Sequence, residues 1–313
     1  MLGKTAGGLY WMFRYLERSE NTARLIEAGQ RLSLTRPSGE DEWSSVLETA
    51  AMHWGYQAAY GADYTREQVI DWMLRDKDNP SSVLNLICMA RNNAKTVRTA
   101  LTREVWEGVN ECYMVLCNKL ARKVAERDLP EVLQMIRQRT AYVRGATHGT
   151  MLRNDFYDFS RIGTFVERAD NTARILDVKY YVLLPSAMSV GSSLDNVQWQ
   201  TILRSVSAEG GFQISYGQDP RPREIAQFLI LDKRMPRSLS FCTDKIRDNL
   251  GYLMADYGTR LKCHDMADKL ALRTMQRSID EVLDDGLHQF IQEYLKSVAE
   301  LGNQIEVDYR FYA

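Results

Sequence analysis

Two segments of this chain, 150 residues apart, are nearly the same. Residues 17–24 read E-R-S-E-N-T-A-R and residues 167–174 read E-R-A-D-N-T-A-R, so six of eight positions are identical and a seventh exchanges Glu20 for Asp170. A second set of matches runs at an offset of 156: Asp76-Lys77 with Asp232-Lys233, Pro80 with Pro236, Ser82 with Ser238, Arg91 with Arg247 and Asn93 with Asn249. Trp43, Gly55, Tyr60 and Gly61 align with Trp199, Gly211, Tyr216 and Gly217 in the same register. The second copy therefore carries six extra residues after its motif, expected in a loop near 185–193. A register sustained over so many positions marks a duplicated unit of roughly 150 residues. The expected organisation is a first repeat over 1–150 and a second over 151–313. No Gly/Pro-rich linker separates them, so they are expected to share one core.

The periodicity inside each copy is helical. Segments 81–122, 155–184 and 262–310 place apolar residues three and four apart with few breakers. Asp128-Leu-Pro-Glu131 and Thr65-Arg-Glu-Gln68 read as capping boxes that open helices. Gly258 and Gly286 read as interruptions, and 186–195 as a loop. Alternating strands and βαβ order are missing. The spacing predicts an all-α helical bundle of about ten to fourteen helices, built from two pseudo-symmetric repeats packed as one unit.

Charge narrows the classes of partner. The chain of 313 residues holds 40 Lys+Arg against 41 Asp+Glu, which gives no bulk basic field for nucleic acid. No run of eighteen apolar residues occurs, so no segment is expected to cross a bilayer. The apolar stretch 6–13 meets Arg14, Glu17 and Arg18 with no small-residue cleavage site, so it does not read as a signal peptide. Five cysteines without a CxxC pair fit a reducing compartment, and a cytoplasmic location is expected.

The duplicated motif carries the chemistry. On a helix Glu17, Glu20, Asn21 and Arg24 fall at i, i+3, i+4 and i+7, a polar stripe bordering the apolar face of Leu9, Met12, Phe13 and Leu16. Charges at such an edge need partners, because an unpaired buried charge costs several kcal/mol. The second copy supplies them, and a reciprocal arrangement sets Glu17 and Arg24 against Arg174 and Glu167. The candidate network comprises Glu17, Arg18, Glu20, Asn21, Arg24, Glu167, Arg168, Asp170, Asn171 and Arg174. It reads either as a buried ion-pair lattice or as a cleft for an anionic or zwitterionic ligand such as a peptide. Arginine forks suit a carboxylate or phosphate, and carboxylates suit an ammonium group. A third reading makes Glu17 and Glu167 an acid–base pair acting on a carboxylate-bearing substrate.

With the opening segment 1–36 and the run L-D-V-K-Y-Y-V-L-L-P at 176–185, the paired motif resembles the bacterial alpha-E domain family over essentially the whole chain. The resemblance implies a wholly helical protein whose motif positions fall on Glu17, Arg24, Glu167 and Arg174. It also implies association with circularly permuted ATP-grasp proteins and transglutaminase-like proteases, and a role in assisting an ATP-grasp amide ligase to make or modify a peptide.

Other chemistry is not expected. Gly3-Lys4-Thr5 imitates a phosphate loop but lacks the preceding glycine and strand, and no GxGxxG occurs, so no cofactor is expected and nucleotide chemistry is assigned to a partner. None of His53, His148, His264 and His288 lies three residues after a Glu, which argues against a di-iron site, and no metal is expected. His288 is assigned a packing or surface role. Cys112 and Cys117 sit in an apolar helical stretch as small hydrophobes. A second tier of candidates remains. Arg144, His148 and Arg153 belong to a Gly- and Thr-bearing segment expected to be a loop able to meet an anion through backbone N–H groups. Arg91 and Arg247 are expected to donate to the central carboxylates.

Overall fold

The computed structural model describes residues 2–33, 40–182, 193–217 and 221–312. Among them the chain forms fifteen α-helices, two short 3₁₀ turns and no strand. In order these are α1 (Gly3–Ser33), α2 (Glu40–Thr49), α3 (His53–Tyr60), α4 (Arg66–Leu74), α5 (Val83–Thr96), α6 (Arg103–Lys119), α7 (Leu129–Thr150) and α8 (Asp155–Val182). They continue as α9 (Ser193–Ser205), α10 (Glu209–Tyr216), α11 (Pro222–Ile230), α12 (Leu239–Tyr257), α13 (Lys262–Met275), α14 (Ile279–Asp284) and α15 (Leu287–Asp308). The all-α class expected from the periodicity is what the chain adopts. The helix count exceeds the expected range by one; 262–310 is interrupted at Gly286 as expected, and the Ser278 cap breaks it once more. The loop expected at 185–193 falls largely outside the described residues.

Local sequence explains where helices begin. Ser82 accepts a hydrogen bond from the Asn85 N–H, and Ser238 does the same for Phe241, each satisfying a first-turn donor. Ser278 and Glu281 form a full capping box that opens α14. The two boxes expected from sequence form differently. Thr65 precedes α4 but turns its hydroxyl to the Gln68 side chain, and Asp128 closes a 3₁₀ turn (Glu126–Asp128) that runs straight into α7.

Two long helices, α1 and α8, lie side by side at the centre. α5 and α7 pack on α1, while α12 and α15 pack on α8; α9 reaches across to α1, and α2 to α8. Gly163 permits the close approach of the central pair, since a Cβ there would sit 2.2 Å from the Tyr10 carbonyl oxygen. One contiguous apolar core runs through the molecule and includes Leu9, Met12 and Ile26 of α1 and Phe165 and Leu176 of α8. Backbone detail recurs at the 156-residue offset. Ala51 and Ser207 have φ of 55° and 53°, and Gly61 and Gly217, which end α3 and α10, have 77° and 89°. Asp76 and Asp232 each accept from the N–H two residues on, at 2.9 and 2.7 Å.

Candidate functional site

The central helices bury their charges. Glu17, Glu20 and Glu167 are at most 3% exposed, a position tolerable only for fully paired carboxylates. Two clusters satisfy them, one around each copy of the motif.

In the first, Glu17 Oε1 and Oε2 accept from Arg168 Nε and Nη2 at 2.9 and 3.0 Å, a bidentate fork across the α1–α8 interface. Arg237, from the segment preceding α12, adds a contact to Glu17 at 3.1 Å and donates to Glu20 at 2.9 Å and to the Asn21 side-chain Oδ1 at 3.1 Å. Arg144 of α7 reaches Glu20 at 2.7 Å, Thr140 donates to it at 3.2 Å, and Arg24 closes back on it from one turn away at 2.7 Å. Burial alone would raise the pKa of Glu17 and Glu20. The surrounding guanidinium groups more than offset that, so both stay well below the usual carboxylate range. Arg237 is pushed down to about 10 by its own burial, with Arg168 adding to the effect, and remains charged at neutral pH.

In the second cluster, Glu167 accepts from Arg18 Nη2 at 2.8 Å and from Arg14 Nε at 2.9 Å. Burial opposes ionisation here too, but Arg18 and Arg14 bring Glu167 down to about 2. Asp170 pairs with Arg174 at 2.7 Å. Beside this cluster opens a cavity of about 340 Å³, lined among others by Arg18, Arg174, Asn21, Asn171, Asp170 and Ser81. Nη1 of Arg18 and of Arg174 make no hydrogen bond among the described residues, and neither does the Asn171 side chain. Asn21 Nδ2 is buried with no partner among the described residues. The asparagines of both motif copies thus meet at one cavity with unused hydrogen-bonding capacity.

The placement corrects several expectations. Reciprocal pairing occurs, but through Arg18 and Arg168 rather than Arg24 and Arg174. The latter two lie one turn beyond Glu20 and Asp170 and fold back onto them as i,i+4 pairs. Arg91 and Arg247 do not reach the central carboxylates. Arg91 donates to Asn110 at 2.8 Å and stacks on Tyr113, while Arg247 pairs with Asp244. Most of the segment expected as a loop is helical: α7 continues through Arg144 and His148 to Thr150, because Gly145 and Gly149 weaken a helix without breaking it, and only Arg153 lies in the short turn before α8. Of the three, Arg144 joins the first cluster. His148 bonds Tyr157 and Arg161, and Arg153 donates to the His148 carbonyl. His288 pairs with Asp177 at 2.6 Å. Sequence reasoning missed Arg14 and Arg237. Arg14 lies three residues before Glu17 and so on the same stripe, and Arg237 stands between the aligned Pro236 and Ser238 where the first copy has Ser81.

The chain belongs to the Alpha-E family, described as a predicted alpha-helical domain with a conserved ER motif, whose family model matches residues 1–309. Uncharacterized proteins of Mycobacterium bovis and Mycobacterium tuberculosis are 26% identical over 322 residues, covering 93% of this chain. The chain spans about a third of the length of these curated relatives, 34% of each. No solved structure matches it. The E-R dipeptides of this chain, Glu17-Arg18 and Glu167-Arg168, are the residues that pair across the α1–α8 interface. None of the described helices is long and apolar enough to cross a membrane.

Proposed function

We propose that this Alpha-E domain is a binding module that holds an amino-acid- or peptide-like ligand between α1 and α8 and serves an ATP-grasp-dependent amide or peptide ligation system. The observation that carries the reading is the cavity beside Glu167, where the buried Asn21 Nδ2 has no partner among the described residues and the partly exposed ends of Arg18 and Arg174 keep donors unspent. Buried polar groups in folded proteins are nearly always paired, so the unpaired Asn21 Nδ2, with two partly exposed arginine ends beside it in one concavity, reads as part of a site for an acceptor. Arginine forks suit a carboxylate. Amide ligation joins an activated carboxylate to an amine, and a module that holds such a molecule fits as the ligase's accessory. The length of the mycobacterial relatives, in which the similar stretch is about a third of the chain, fits a domain that acts beside further polypeptide.

The acid–base reading fits less well. Glu17 and Glu167 are held ionised far below neutral pH by arginines that occupy both oxygens of each, whereas a general acid or base works best with a pKa near the operating pH. The ion-pair lattice reading suits the first cluster better, because there Arg168, Arg237, Arg144 and Arg24 direct their bonds at Glu17 and Glu20.

Co-expression with an ATP-grasp protein encoded beside this chain, followed by purification with and without ATP and an acceptor peptide, tests the partner. A stable complex, or faster ligation when this chain is added, is expected. Separate migration together with an unchanged ligation rate would overturn the proposal.

A further inference from the structure

We infer that the two copies of the motif have taken different roles: the cluster at Glu17 is an internal fastening, and the cluster at Glu167 is a zwitterion site kept open by Ser81. This deepens the binding-module reading and rests on it.

The repeat register sets Ser81 where Arg237 stands, between Pro80 and Ser82 in one copy and Pro236 and Ser238 in the other. In the first cluster the Arg237 guanidinium fills the space against Glu17, Glu20 and Asn21. At the second cluster the residue in its place is a serine, and that serine lines the 340 Å³ cavity. A second exchange is compensated. Gly302 is the sixteenth residue of the 22-residue α15, as Arg144 is of the 22-residue α7. Gly302 borders the Tyr10 hydroxyl and Arg14 Nη1, and Arg14 binds Glu167 as Arg144 binds Glu20. Nothing among the described residues replaces Arg237.

The open place has a definite chemistry. In the first cluster Arg237 puts a cation beside Glu20; the corresponding place in the second lies beside Asp170, which suits a ligand ammonium. The free Nη1 groups of Arg18 and Arg174 and the unpaired Asn21 Nδ2 offer donors for a carboxylate. Three arginines (Arg14, Arg18, Arg174) against two carboxylates (Glu167, Asp170) leave one net positive charge, which draws the carboxylate end of the ligand, while Asp170 faces its ammonium. A phosphate would bring no ammonium to Asp170. The ligand class is therefore a molecule with both an α-amino and an α-carboxyl group.

Calorimetric titration of the full chain with L-alanyl-L-alanine tests this, with its N-acetyl form, its C-terminal amide and inorganic phosphate as comparisons. One equivalent of dipeptide is expected to bind, with either modified peptide and phosphate weaker by about tenfold or more, the loss expected for one charge-assisted contact. Ser81→Arg is expected to abolish binding. Arg174→Gln, a partly exposed position that need not disturb the fold, is expected to weaken it about tenfold. Arg204→Gln, in a separate cavity of about 270 Å³ bordered by Arg24, Arg31 and Arg137, is expected to change nothing. Binding that survives both Ser81→Arg and Arg174→Gln, or that the acetyl and amide forms reproduce in full, overturns the zwitterion assignment while leaving the binding module standing. Tighter binding of phosphate overturns the ligand class. No binding by the unaltered protein overturns both.

Discussion

Replacing Glu17 by Ala leaves three arginines around a missing carboxylate, and the structure shows how unequally they lose. Arg237 and Arg144 keep Glu20, at 2.9 and 2.7 Å. Arg168 keeps only the Pro236 carbonyl at 3.2 Å and the Phe165 ring, while 8% of its side chain is exposed. The cost is thus concentrated on one stranded, buried guanidinium, and breaking such a pair typically costs about 3–5 kcal/mol. Glu17→Leu combined with Arg168→Met removes both charges and refills the space with carbon, so the double variant is expected to recover most of the loss, ending within about 2 kcal/mol of the unaltered protein. Urea unfolding followed by helical circular dichroism reads both. The single variant is also expected to melt roughly 6–10 °C lower, at about 2 °C per kcal/mol for a large domain. A Glu17→Ala protein within about 1 kcal/mol of the original, or a double variant as unstable as the single one, would refute the stranded-charge reasoning.

Acid should loosen the molecule in a defined window. Glu167 titrates at about 2 when folded against 4.5 for the ordinary group, so its contribution is present above about pH 5 and is lost as pH falls toward 2. Urea midpoints measured at half-unit steps should show that fall, and a flat profile down to pH 3 would contradict it. Asp158 behaves oppositely: its burial, with Asp256 and Asp155 nearby, raises it to about 7, so the stability it gives at low pH disappears as pH rises through 7. Asp158→Asn should stabilise the protein by about 2 kcal/mol at pH 8 and hardly at pH 4, as read by melting temperature at the two pH values. Gly163→Ala would press a methyl against the Tyr10 backbone 2.2 Å away and is expected to cost at least about 3 kcal/mol in the same unfolding assay, since backbone cannot move aside as a side chain can.

The repeat, the helices and the two carboxylate-bearing stripes were legible in the sequence because periodicity and identity at fixed spacing are one-dimensional properties. Partner choice was not. A stripe at i, i+3, i+4 and i+7 shows which residues share a face, but whether Arg18 or Arg24 crosses to the neighbouring helix depends on the crossing geometry of α1 and α8. Gly145 and Gly149 suggested a loop where α7 continues, since packing of Val143 and Thr147 against the core outweighs the weak helix preference of glycine. Arg237 is not marked by the repeat, because identities between the copies say nothing about a position where they differ. The position that matters to the cavity is one where the copies differ, Ser81 against Arg237, and its meaning appears only when both clusters are seen in space.

The central claim is that one cavity, shared by both copies of the motif, takes a zwitterion. Selective labelling of the asparagine side-chain amides lets nuclear magnetic resonance follow Asn21 and Asn171 during titration with L-alanyl-L-alanine. Both resonances should shift together and saturate with a single binding constant, and neither should move in Ser81→Arg. Shifts confined to other asparagines while Asn21 and Asn171 stay fixed would contradict the account.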